Sequence, residues 1–125
     1  MKICVTSTGN NLESSLDQRF GRAAVFLIVD TDTMDIEVID NQAATAAGGA
    51  GVTSAQTVVD KDIQALITGN VGPNAMRVLH AADIDIFKGL NGSVKENIEA
   101  FKQGKLNKID TPVPEHFGLV NRGGK

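Results

Sequence analysis

Three segments hold residues whose types and spacing could bind an anion: Arg19-Phe20-Gly21-Arg22-Ala23, Gly48-Gly49-Ala50-Gly51-Val52-Thr53-Ser54-Ala55-Gln56 and Thr68-Gly69-Asn70-Val71-Gly72-Pro73-Asn74-Ala75. The second and third lead into helical patterns. Glycines at such a junction let backbone N–H groups approach a ligand closely, and the unpaired donors and positive end of the helix dipole favour negative charge. This makes Gly49, Ala50 and Gly51, and Gly69, Asn70, Gly72 and Asn74, candidate ligand contacts. Arg19 and Arg22 add positive charge, and either could instead pair with a nearby acid such as Asp17. Phe20 reads first as an anchor packing its loop onto the core. The same spacings also fit ordinary tight turns, and neither a Walker A motif nor a dinucleotide fingerprint is matched, which argues against a nucleotide.

Other chemistry-bearing residues point to no site of their own. Cys4 is the single cysteine, so there is no intrachain disulfide and no thiolate set for an ordinary iron–sulfur cluster. In mid-strand it reads as a buried small hydrophobe. His80 and His116 lack ligand-spaced partners, and Met76 on an apolar helix reads as core. A divalent-metal nuclease would need carboxylates converging near the first strand. That strand has none, and Asp17, Asp30 and Asp40 are scattered.

The elements that position these residues follow from periodicity. Lys2 to Ser7 is a β-branched run closed by Gly9-Asn10-Asn11; Ala23 to Val29 is a more uniformly apolar strand; Met34 to Ile39 is an edge strand after a polar turn. Val52, Ala55, Val58 and Val59 then recur at helical spacing. Ala65-Leu66-Ile67 is a buried strand, and Pro73 suits the first position of a helix with Ala75, Val78, Leu79 and Ala82 inward. Ile84 to Phe87 is a further strand. Ser93 and Glu96 have capping-box spacing for a helix from about Val94 to Gln103, with Val94, Ile98 and Phe101 inward and Gly104 as its stop. Residues 107–125 show no sustained period and read as a loosely held tail.

The order βββαβαβα gives an α/β protein with a five-stranded mixed sheet and helices on both faces, a ribonuclease H-like arrangement. Both glycine loops and the end of the first strand at Ser7-Thr8 then lie beyond the carboxyl ends of parallel strands, where open α/β sheets bind ligands.

Composition narrows the partners. A length of 125 residues suits one domain, and 42% apolar with 22% charged residues is ordinary for a globular chain. A net charge of -3 gives no basic field for nucleic acid, and the absence of Trp and Tyr removes stacking platforms. No stretch approaches the roughly 20 apolar residues that cross a bilayer, and no signal-peptide h-region follows Met1, so a cytoplasmic protein without membrane contact is expected.

Four motifs in one order carry a family resemblance. Met1-Lys2-Ile3-Cys4-Val5-Thr6-Ser7, Arg19-Phe20-Gly21-Arg22-Ala23 followed by Phe26-Leu27-Ile28-Val29-Asp30, Gly49-Ala50-Gly51 with Ala55-Gln56, and Thr68 to Ala75 resemble the dinitrogenase iron-molybdenum cofactor biosynthesis family. Gln18 stands where many relatives have proline. The resemblance covers residues 1–106, the expected domain, and leaves 107–125 as an added tail. It implies a ribonuclease H-like fold and a non-enzymatic role: binding, storing or handing over a molybdenum-containing metal–sulfur cluster, of iron–molybdenum or molybdenum–copper type as in orange-protein-like members, held non-covalently. A donor or acceptor protein for the cluster would be the partner. On this reading Ser7, Thr8, Arg19, Phe20, Gly21, Arg22 and the candidate contacts of both glycine loops surround the ligand. A small regulatory module binding a phosphate-bearing ligand through the same loops is the alternative, ahead of a ribonuclease H-like nuclease.

Overall fold

A computed structural model describes residues 1–45 and 49–112. Gly48 of the glycine-rich segment, His116 and the tail from residue 113 lie outside the described residues. The strands are β1 (Lys2–Ser7), β2 (Val25–Asp30), β3 (Ile36–Asp40), β4 (Ala65–Thr68), β5 (Asp85–Lys88) and β6 (Asn107–Lys108). The helices are α1 (Ala50–Val59), α2 (Pro73–Ala81) and α3 (Val94–Lys102), with a 3-10 turn at Gln42–Thr45.

The strands form one mixed sheet in the order β3-β2-β1-β4-β5-β6. β1 runs antiparallel to β2 with Cys4 opposite Ile28, and parallel to β4 with Cys4 beside Leu66. The central strands are buried on both faces, which explains their nearly continuous apolar sequence. On one face Cys4, Phe26, Ile28, Leu66 and Ile86 pack with Ala55 and Val58 of α1 and with Ala75, Met76 and Leu79 of α2. On the other, Ile3, Val5, Leu27, Val29 and Ile67 pack with Val94 and Ile98 of α3. Helices therefore cover both faces, as the sequence predicts.

Five strands are expected and six are present among the described residues. Asn107–Lys108 pairs antiparallel with β5, the Ile109 amide donates to the Ile86 carbonyl at 2.8 Å, and Lys108 Nζ lies 3.3 Å from Asp85. Two exposed polar residues carry no alternation, so the strand leaves no trace in the sequence. Its anchors are the buried Leu106 before it and Ile109 after it, which packs against the α1/α2 layer. The first residues of the expected tail thus belong to the sheet.

Smaller shifts have local causes. Ala23 and Ala24 fall outside β2 because their amides donate to the Phe20 carbonyl and the Asp17 carboxylate rather than to a ladder. Met34 precedes β3 in a left-handed conformation (φ 65°), its amide closing a turn on the Asp30 carbonyl. In α1 the buried face is Ala50, Ser54, Ala55 and Val58, with Val52 turned outward, and Ala82 lies exposed beyond α2. The α3 boundaries hold. Ser93 and Glu96 form the reciprocal capping box, while Gly104 (φ 69°) and Lys105 donate to Phe101 and Ala100 in a Schellman closure.

Candidate functional site

The segment from Thr8 to Ala24 folds back across the carboxyl ends of β1 and β4. Its first half returns to β1: Thr8 N donates to Ser15 O at 3.0 Å, Asp17 N donates to Thr6 O at 2.9 Å, and Ser7 bridges Leu16. Beneath it, the buried Thr6 hydroxyl meets the Asp17 carbonyl at 2.6 Å and Thr68 Oγ1 at 2.8 Å, tying the ends of the two strands together. The second half pairs with the loop between β4 and α2. Asn70 N donates to Gln18 O at 2.6 Å, and Phe20 N donates to Asn70 O at 3.2 Å. A Cβ on Gly69 would stand 2.7 Å from Gln18 Cα, so this position accepts glycine alone.

Further contacts bring the expected motifs together. A Cβ on Gly21 would lie 3.0 Å from both Cα and N of Gly51, and one on Gly51 would lie 3.3 Å from the Ala75 Cβ. The Arg-Phe-Gly loop, the start of α1 and the start of α2 are therefore in direct succession. Phe20 is fully buried and stacks at a tilt 5.7 Å from Phe26, as an anchor does.

The two helix starts differ from the third. Gly49, left-handed at φ 73°, and Gly72 are the N-cap residues of α1 and α2, and neither helix has a side-chain cap. The first-turn amides Ala50, Gly51, Val52, Asn74 and Ala75 have no acceptor within their own helices. At both N-caps an added Cβ would meet none of the described residues within 4 Å, so the Cβ positions are open. In α3, by contrast, Glu96 N donates to Ser93 Oγ, and Val94 N and Lys95 N donate to Ser14 O and Leu12 O.

Both arginines are engaged. Asp17 is buried, and its carboxylate receives Arg19 N, Nε and Nη2 at 3.1 Å each and Ala24 N at 3.3 Å. Burial pushes its pKa up, but the Arg19 side-chain hydrogen bond, the Arg19 and Ala24 backbone donors and the Arg19 charge outweigh this and hold it below the usual value. The Arg19 side chain remains 65% exposed beside Asn70. Arg22 Nη1 donates to Ala44 O at 2.8 Å, reaching the 3-10 turn that precedes α1.

Ser7 and Thr8 are placed at the mouth of β1, with hydroxyls that shape the loop: Ser7 Oγ contacts Gly9 O at 2.8 Å, and Thr8 Oγ1 contacts Ser15 O at 3.3 Å. Asn74 is exposed on α2, where Arg77 Nη1 reaches its Oδ1 at 3.2 Å. The sequence does not single out Asn41, Ser54 or Arg77, and it presents Asp17 only as a partner. Asn41 directly after β3 carries the one readable signal, as a polar residue closing a strand before a turn. Cys4 lies in the core, where burial raises its pKa, away from any ligand role. Among the described residues no group of three or more His, Cys, Asp or Glu could hold a metal ion. What converges at this edge is a set of donors.

A sequence model of the dinitrogenase iron-molybdenum cofactor family matches residues 1–104. The chain belongs to that family. The apo form of the orange protein from Desulfovibrio gigas superposes with a TM-score of 0.85 at 38% identity, over 90% of this chain and 95% of that one. A NifB-like protein of Thermotoga gives 0.79 at 36% identity, over 91% and 97%. An uncharacterized protein of Methanocaldococcus jannaschii is 34% identical over 88% of this chain and 92% of its own length. Membership of this cofactor-related family supports metal–sulfur cluster association. No described helix is long and apolar enough to cross a membrane.

Proposed function

We infer that this protein binds, stores or hands over an anionic, molybdenum-containing metal–sulfur cluster, of iron–molybdenum or molybdenum–copper type, as cargo and without catalysing a reaction. The observation that carries this reading is the pair of helix starts at Gly49 and Gly72, without side-chain caps and with open Cβ positions at their N-caps, beside the Arg19–Arg22 loop. A sulfide-edged polyanion can be held by N–H donors and positive charge alone, so the absence of a metal-ligand group among the described residues is compatible with it. The backbone of Ser7, Thr8, Gly21, Gly49–Gly51, Gly69, Asn70, Gly72 and Asn74 would line the cargo, with Arg19 and Arg22 at its rim. Phe20 would hold the loop from below.

The order β3-β2-β1-β4-β5 supports a ribonuclease H-like core within residues 1–106. A cytoplasmic carrier acting with a donor or acceptor protein fits this reading, and the segment beyond β6 is the part of the chain that could meet such a partner. The test is anaerobic purification followed by metal analysis and visible absorbance. A visible band must come from bound cargo, and because the chain has no Trp or Tyr, so must any strong near-ultraviolet band. Molybdenum with sulfide and a visible band is the expected result. The same donors would also suit a phosphate-bearing ligand; colourless protein that binds inorganic phosphate would favour that reading.

A further inference from the structure

Asn41 and Ser54 are both buried, at 8% and 0% exposure. Asn41 follows β3 and Ser54 sits in the second turn of α1, and both side chains turn to the Arg-Phe-Gly loop. Asn41 Nδ2 donates to Ala23 O at 2.9 Å and to Gly21 O at 3.2 Å. Its Oδ1 accepts from Ala43 N at 3.2 Å and from Ser54 Oγ at 3.1 Å. Ser54 Oγ also lies 3.3 Å from Gly21 O, so its one proton is shared between two acceptors. The amide thus uses both donors and both acceptor directions within the protein.

We propose that Asn41 and Ser54 are positioning residues for the cluster site, which hold Gly21 against the first turn of α1 and so fix the spacing between the loop and the open amides. A side chain at Gly21 would crowd the Gly51 backbone, and the part-buried Gly21 carbonyl lies beside Ser54 of α1. An unpaired carbonyl there would be costly, and Asn41 and Ser54 satisfy it from two elements at once. Because Asn41 also starts the 3-10 turn whose Ala44 carbonyl receives Arg22, one side chain sets the loop, the turn and the helix start relative to one another. Sites that bind through fixed donors depend on such support, since displacement by a fraction of an ångström weakens every contact together.

This proposal rests on the cluster-binding reading, so the experiment separates the two. Tetrathiomolybdate with copper is titrated at 25 °C into apo wild type, Ser54→Ala, Asn41→Asp and Ile98→Val. The last removes core volume on the α3 face, away from the site, and serves as a stability control. Ser54→Ala keeps a good helix former in α1 and should fold even if Asn41→Asp does not. Affinity at least tenfold weaker in the folded Asn41 or Ser54 variants, with Ile98→Val binding as wild type does, is the expected result. Equal affinity in wild type and Ser54→Ala would overturn the proposal. If wild type takes up no thiomolybdate, the cluster reading fails, and the positioning role is judged on the apo protein by amide NMR. Displaced Gly21, Ala50 and Gly51 signals in Ser54→Ala would sustain it, and unmoved signals would overturn it.

Discussion

The Asp17 carboxylate grips Arg19 through Nε and Nη2 at 3.1 Å each and through the Arg19 backbone amide at the same distance. The arginine that the sequence offers as a positive charge is thereby held in one orientation by a buried partner. Its charge still faces solvent, so it can attract an anion without first being ordered.

Asp17→Asn removes this grip and leaves an amide that can accept at one oxygen only. The expected loss of stability is about 1–3 kcal/mol at neutral pH, the scale of a buried charge-assisted hydrogen bond. The pH dependence follows from the sign of the shift. The folded pKa lies below the unfolded value of 3.8, so the contribution is complete above that value and fades as pH falls through the folded pKa. Thermal melts of both proteins from pH 7 to pH 2 should therefore converge on the acid side. A constant gap across the range would show that Asp17 acts without its charge.

Cys4→Ser should leave cargo binding within about twofold, since the thiol lies in the α1/α2 core and no donor set includes it. Introducing a hydroxyl there should cost roughly 1–3 kcal/mol. Metal content and melting temperature measured on the same sample check both parts. Loss of metal from a folded variant would make thiolate ligation the better reading.

Much of the fold was legible in the sequence because it depends on local chemistry. The Ser93–Glu96 capping box, Pro73 at the start of α2 and the apolar runs of β1, β2 and β4 each follow from residue type and spacing, and all are present. The parts that stayed hidden depend on distant partners. β6 exists because Leu106 and Ile109 bracket two polar residues against β5, and Ser54 faces inward because the Gly21 carbonyl, 33 residues away, needs a donor. The site was legible as three motifs, but their succession through Gly21, Gly51 and Ala75 is a property of the fold.

Truncation separates the sheet from the segment beyond β6. A chain ending at Pro112 should melt within about 0.5 kcal/mol of the full chain, the range of surface changes. Ending at Gly104 removes Leu106, β6 and Ile109 and should cost about 3 kcal/mol or more, from the burial of two aliphatic side chains and the β5 pairing. Chemical denaturation of the two truncations checks this, and equal stability would remove β6 from the folded unit.

The central claim, that open amides at two helix starts hold the anionic cargo, is tested most directly by placing a carboxylate in front of one of them. Gly72 has an ordinary extended conformation (φ -76°, ψ 169°) with open space at its Cβ position, so Gly72→Asp should fit without strain and cap α2. A capping carboxylate should leave apo stability unchanged or raise it by roughly 0.3–1 kcal/mol while occupying the donors with negative charge. Tetrathiomolybdate and copper titrated into wild type and Gly72→Asp, followed by visible absorbance, should give a saturable band in wild type and at least tenfold weaker binding in the variant, whose melting temperature is no lower. Equal affinities in the two proteins, or no band in wild type, would contradict the account.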